Sequence, residues 1–232
     1  MGYYHKTQLE WAVHHWPLTD SNHVFSPKFI YNQVNGGQNE GDYFTDCGAL
    51  ICEQGCGTMA EIPEDSDYVS WPSESVYSHA IPFRSESCYY FSVRDMAGIN
   101  ELRQRLDSGY TSVLGTAIYG NFYILTDSEY DTNYCVKDTF TDSGGDGSHG
   151  LCIVGYDDNR ITHDGTGAFR LVNSWGTAFG DRGYFWMSYQ AVMDSQVSWG
   201  QAFYLTERIG YKPTLLGRVC INHYARDRIN FW

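Results

Sequence analysis

Two short apolar runs, at 150–156 and 167–172, flank a polar, turn-forming segment at 157–166, and this arrangement constrains the fold more than any other part of the chain. Runs of that length rich in Ile, Val, Leu and Phe predict strands, and the polar segment between them predicts an antiparallel hairpin. His149 and Asn173 sit at its open end, with residue 161 midway between them. Directly opposed residues on one face of such a pair have Cβ atoms about 4.5–5.5 Å apart, so an imidazole and a carboxamide placed there can hydrogen-bond. Each residue alone reads as an ordinary strand end, but at matched positions the two form a chemical pair.

Upstream of the hairpin the chain reads as helical. Apolar residues at helical spacing predict a helix over 3–16, stopped by Pro17. Ser26 and Pro27 predict the N-cap and first turn of a second helix that carries Phe29, Ile30 and Val34 inward. A third is expected over 45–54, closed by Gly55, and a fourth over 96–106, closed by Gly109. Residues 57–94, punctuated by Pro63, Pro72 and Pro82, read as irregular. Beyond them strands are expected at 113–119, 122–125, the hairpin, 184–189, 202–205 and 215–221. Helices first and strands second is the α+β pattern. The expected organisation is a helical lobe over 1–110, a β lobe over 111–208 that carries His149 and Asn173, and an extension over 209–232.

Composition narrows the function. Hydrophobic residues make up 42% of the chain and aromatics 16%, which excludes a disordered class. The net charge of −13 excludes nucleic acid as a partner, because phosphate neutralisation needs clustered Lys and Arg. No apolar run approaches the length of a membrane span, so no membrane partner is expected. Neither is a metal or cofactor: the acidic turn of Asp157, Asp158 and Asp164 lacks the spacing of a calcium loop, and His14 and His15 diverge by about 100° on a helix. The seven cysteines match no zinc motif. Cys152 reads as a small buried hydrophobe in its strand, and Cys47 and Cys52 as part of the apolar face of the third helix. The opening residues 1–6 lack the apolar stretch of a signal peptide.

Three blocks carry a resemblance: Ser148-His149-Gly150 running into Ile153-Val154-Gly155-Tyr156; Asn173-Ser174-Trp175-Gly176-Thr177; and Gly180-Asp181 with Gly183-Tyr184-Phe185. Together they resemble the histidine and asparagine blocks of papain-like cysteine peptidases, and 26–31 and 41–55 resemble the helical lobe of that family. The resemblance implies a papain-like two-lobe α+β fold, a helical lobe followed by an antiparallel, β-barrel-like lobe with the cleft between. It implies hydrolysis of peptide bonds in a protein or peptide substrate. His149 matches the base that serves the thiolate, Asn173 the residue that orients it, and Trp175 the shield over their hydrogen bond. Gly150 would border the substrate, and the loop ending at Gly41 and Asp42 would offer backbone groups to an extended peptide.

The resemblance also implies a nucleophilic cysteine about 130–150 residues before the histidine and asparagine. Counted back from His149, that window reaches residue 19 and holds no cysteine, the first being Cys47. Two expectations follow: a truncated peptidase whose nucleophile segment lies upstream of Met1, or an inactive pseudopeptidase that keeps the cleft to bind peptides. Relatives of this kind are commonly secreted or lysosomal, and the acidic composition points to an extracellular or secreted protein.

Overall fold

The computed structural model describes residues 1–125, 133–139, 147–213, 217 and 224. The chain opens with a π-helical turn, Gly2–Lys6, that runs into α1, Thr7–His14, and stops where His15 takes up a left-handed backbone (φ 52°) ahead of Pro17. Ser26 caps α2, Pro27–Val34, by accepting hydrogen bonds from the amides of Lys28 (3.1 Å) and Phe29 (3.4 Å). In α3, Phe44–Gln54, the chain turns out at Gly55, whose φ of 89° suits glycine; a Cβ there would lie 1.8 Å from the carbonyl oxygen of Ala80. Leu9, Phe25, Phe29, Ile51 and Val76 bury themselves between these elements as one core.

The region read as irregular holds two elements, α4 (Glu74–Ala80) and β1 (Ser85–Ser92). No local pattern announces β1, because its partner lies over a hundred residues downstream: it pairs antiparallel with β7, Ser198–Glu207, setting Cys88 opposite Leu205 and Phe91 opposite Ala202. Asp95 then caps α5, Met96–Asp107, by accepting from the amide of Gly98. Next come β2 (Ser112–Ile118), α6 (Gly120–Ile124), β3 (Asn133–Tyr134) and α7 (Val136–Thr139). The segment expected as a strand at 122–125 is thus mostly helix. Phe122 lies in it, surrounded by aromatic rings rather than paired in a ladder.

The predicted hairpin forms as β4 (Gly147–Thr162) and β5 (Gly165–Val172), but its loop shrinks to His163 and Asp164. The polar residues of 157–162 are strand after all. Their polarity misled because they sit on bulges: the register slips between Ile153 and Gly155 and again between Asp157 and Ile161, so β4 carries extra residues that β5 does not match. The bulge is held from outside by Asp158, which pairs with Arg103 (2.5 Å) and accepts from the Tyr189 hydroxyl (2.7 Å). β6 (Tyr184–Ser188) follows, and Ser188 caps α8, Tyr189–Met193.

The strands form one sheet in the order β1-β7-β2-β4-β5-β6-β3, with β3 parallel to β6 and the remaining pairs antiparallel. The α+β architecture is as expected, while the sheet is open rather than closed into a barrel. Leu114, Ile153, Phe169, Leu171 and Phe185 form the second core on this sheet. A buried ionic knot joins the chain start to it: Nζ of Lys6 donates to Glu10 (2.6 Å), Glu207 (2.8 Å) and Ser85 (3.3 Å), bonding α1 to β7 and β1. Beside it the fully buried His5 accepts at Nε2 from the amide of Leu205 (2.8 Å), so its other nitrogen carries the proton and donates to Thr111 (2.8 Å). The strand expected at 215–221 falls almost entirely outside the described residues. No described helix is long and apolar enough to cross a membrane.

Candidate active site

β4 delivers His149 and the end of β5 delivers Asn173. Near this end the ladder sets Cys152 opposite Val172 and Ile153 opposite Leu171, a register that continued would put Asn173 across from Leu151. His149 is therefore two residues from direct opposition and pairs instead with Thr116 of β2. Residues two apart on a strand share a face, so the imidazole still leans toward Asn173 along the diagonal. The result is a hydrogen bond of 2.8 Å between Nε2 of His149 and Oδ1 of Asn173.

The donor in that bond is settled by a neighbour. The amide of Ser174 also lies 2.8 Å from Oδ1, and an N–H can only donate, so Oδ1 is the oxygen and Nε2 of His149 carries the proton. Nδ1 is then the basic nitrogen, and it has no hydrogen-bond partner among the described residues. Asn173 is almost fully buried, its main-chain N–H donates to Gly183 (2.9 Å), and its carbonyl accepts from the Tyr4 hydroxyl (3.0 Å). The Nδ2 amide is buried without a partner, so the side chain is committed to the imidazole through its oxygen alone.

Aromatic rings wall the pair. The indole of Trp175 lies 5.2 Å from the imidazole, centroid to centroid, and Phe122 meets both, at 5.4 Å from Trp175 and 6.0 Å from His149. Phe122 is fully buried, whereas Trp175 keeps an exposed face on which Tyr123 stacks at 5.5 Å. Excluding water on one side strengthens the His149–Asn173 bond.

On the opposite side a cavity of about 350 Å³ opens, lined by Met1, Tyr4, Phe44, Gly150, Cys152 and Ser174. Phe44, at the start of α3, closes it against the sheet: a Cβ on Gly150 would sit 3.1 Å from the Phe44 ring, so the glycine lets α3 and β4 approach this closely. Gly41 and Asp42, expected to offer backbone groups to an extended peptide, do not line this cavity. Gly41 is exposed and Asp42 half-buried in the loop before α3, one carboxylate oxygen buried without a partner and its pKa raised by burial and by Asp46. Tyr4, Phe44 and Phe122 went unnoticed in the sequence. An aromatic residue in a helix reads as core, and nothing local tells which ring faces a distant histidine.

One described thiol lies on the strand that carries His149. Cys152 lies three residues along β4 from His149, on the other face, packed with Val113, Val172 and Phe203. Burial pushes its pKa up to about 11, as it does for Cys47 and Cys88, and Cys56 rises to about 12. Cys52 and Cys135 are shifted in the same direction, chiefly by burial. A catalytic thiol needs the opposite shift. Cys220 lies outside the described residues.

A sequence model of the papain family of cysteine proteases matches residues 85–202, just over half of the chain. The chain belongs to that family. The matched stretch carries β1 to the first half of β7 and with them His149, Asn173 and Trp175. An uncharacterised peptidase C1-like protein of Acanthamoeba polyphaga mimivirus is 29% identical over 100 residues, 43% of this chain and 29% of the viral protein's length. The papain-family fold is borne out by solved structures. Xylellain, a cysteine protease from Xylella fastidiosa, superposes with a TM-score of 0.68 at 22% identity, covering 88% of this chain and 76% of its own. The bromelain protease of Ananas comosus, solved with the E64 inhibitor, superposes at 0.56 with 14% identity, covering 79% of this chain and 78% of its own.

Proposed function

We propose that this chain carries the base, the orienting amide and the substrate cleft of a cysteine peptidase that hydrolyses peptide bonds in protein or peptide substrates. The observation that carries this reading is the His149–Asn173 hydrogen bond, with the ring locked as the Nε2–H tautomer and Nδ1 left open. A thiol at Nδ1 would pass its proton to that nitrogen and become the thiolate that attacks the substrate carbonyl. The imidazolium so formed is stabilised by Asn173 and returns the proton to the departing amine, while water later releases the acyl group. Trp175 shields the orienting bond, and the cavity beside Gly150 takes a substrate side chain.

In this reading the nucleophile is a cysteine other than the six described ones. The acidic surface fits an extracellular, secreted setting. The second reading is a pseudopeptidase that binds peptides in the same cleft; what favours it is that burial raises the pKa of all six described thiols and that Cys152, on the same strand as His149, lies on the other face.

A thiol-directed active-site probe and a peptidase assay separate the two, applied to this chain and to a form extended upstream to the next in-frame start. Labelling and turnover confined to the extended form, and lost on His149→Ala, support the peptidase. Turnover by the 232-residue chain would place the nucleophile among its own cysteines. Peptide binding without labelling in either form favours the pseudopeptidase.

A further inference from the structure

We infer that Tyr4 is a positioning residue for the His149–Asn173 pair, acting through the peptide unit that joins Asn173 to Ser174. The inference rests on the proposed role of that pair, and it begins from one hydrogen bond. The hydroxyl of Tyr4, in the Gly2–Lys6 turn, donates to the carbonyl oxygen of Asn173 at 3.0 Å, spanning 169 positions of sequence.

That carbonyl belongs to the same planar unit as the Ser174 N–H. The N–H in turn donates to Oδ1 of Asn173, the atom that receives Nε2–H of His149. Tyr4 therefore holds one end of a rigid plate whose other end holds the carboxamide. Among the described residues the other main-chain anchor at Asn173 is its own N–H on Gly183, which fixes the preceding peptide unit and leaves this one free to turn about ψ. Burial keeps the phenol neutral, with a pKa pushed up to about 12, so the donor persists across the working range of a peptidase. Tyr3 beside it packs edge-on against the Tyr4 ring at 4.8 Å and keeps that ring in place.

Without the Tyr4 hydroxyl the plate loses its anchor and the Ser174 N–H swings away from Oδ1. The side-chain amide torsion of Asn is broad and roughly two-fold, so its carboxamide can then turn over and offer Nδ2, which today is buried without a partner, to the imidazole. An Nδ2–H facing Nε2 selects the other histidine tautomer and moves the proton to Nδ1, the nitrogen that must stay basic. A tyrosine at the far end of the chain thus sets which ring nitrogen is available.

Nitrogen-15 NMR of the His149 ring tests this on the 232-residue chain. The wild type is expected to show the Nε2–H form alone. Tyr4→Phe is expected to bring in the Nδ1–H form and to speed solvent exchange of Nε2–H about tenfold, the loss of one net hydrogen bond expressed as an opening equilibrium. Tyr3→Phe, which removes a hydroxyl one residue away, should leave both unchanged. A merely structural tyrosine would lower stability without moving the ring, so unchanged tautomer and exchange in Tyr4→Phe overturn the inference. Should Tyr4→Phe not fold, the wild type decides: a slowly exchanging Tyr4 hydroxyl proton and Nε2–H as the sole His149 tautomer are expected, and a freely exchanging hydroxyl or a mixture of tautomers overturns the inference. The ring readout needs no nucleophile, so a positive result beside failed active-site labelling of the extended form as well would sink the peptidase reading and leave the positioning role standing.

Discussion

Nε2 of His149 and Oδ1 of Asn173 meet at 2.8 Å, one residue beyond the last rung of the β4–β5 ladder at Val172. The bond is made where the backbone no longer enforces register, and it depends on what holds Asn173 from the side. Replacing Asn173 with Ala removes the acceptor for both the imidazole and the Ser174 amide. The expected result is a loss of about 1–3 kcal/mol in urea unfolding and a mixture of ring tautomers by NMR. A single unchanged tautomer would show that the carboxamide does not orient His149.

Lys6 is fully buried and shared by two carboxylates. Lys6→Met leaves Glu10 and Glu207 facing each other without a cation, and a cost of about 3–5 kcal/mol is expected in chemical denaturation. Adding Glu207→Gln to Lys6→Met should recover part of that loss. An additive or larger loss in the double variant would mean that the pair is not coupled.

Two buried groups tilt stability with pH in opposite senses. Burial lowers the His5 pKa from 6.5 to about 3, so the unfolded chain binds more protons between those values and stability rises with pH across that window. Burial raises the Glu207 pKa from 4.5 to about 7, chiefly by desolvation, so the folded chain binds more protons and stability falls as pH climbs through that window. Each slope approaches roughly 1.4 kcal/mol per pH unit, and they offset one another where the windows overlap. Unfolding titrations of His5→Gln should lose the rise, and those of Glu207→Gln the fall. Identical pH profiles in wild type and both variants would refute the assignment.

Glycine in a helix interior ordinarily weakens it by about 1 kcal/mol relative to alanine. Gly98 in α5 reverses the expectation, because a Cβ there would lie 2.0 Å from the carbonyl oxygen of Ser92, at the end of β1. Backbone on backbone cannot rotate away. Gly98→Ala is expected to destabilise by about 1–3 kcal/mol, readable as a lower urea midpoint with an unchanged slope.

Phe122 contacts the rings of His149, Trp175, Phe179 and Phe185 and is fully buried. Phe122→Ala should cost about 3–5 kcal/mol and leave Trp175 unsupported, with a red shift in its emission as water reaches the indole. A Trp175 spectrum that does not move would place the wall of the site elsewhere.

Much of this was legible in the amino-acid order. The cap at Ser26, the terminators at Gly55 and Gly109 and the apolar strands of the hairpin are local signals, written within one turn or one ladder of the residues they control. His149 and Asn173 were legible for the same reason, since one hairpin carries both. What the sequence could not yield is whatever depends on a partner far away. β1 exists because β7 pairs with it, α6 because Phe122 packs into a box of rings, and the polar stretch 157–162 is strand because Arg103 and Tyr189 hold its bulge at Asp158. The register itself belongs to this second class: two bulges add three unmatched residues to β4, His149 ends two residues from direct opposition to Asn173, and only the shared face of alternate strand positions kept the imidazole aimed at the amide. The sequence alone determined which two side chains would meet, because short-range strand and turn chemistry brings them to the same end of one hairpin. Tertiary structure alone decided how they are held, because the hydroxyl of Tyr4, the ring of Phe122 and the close approach of Phe44 to Gly150 come from segments that only packing brings together.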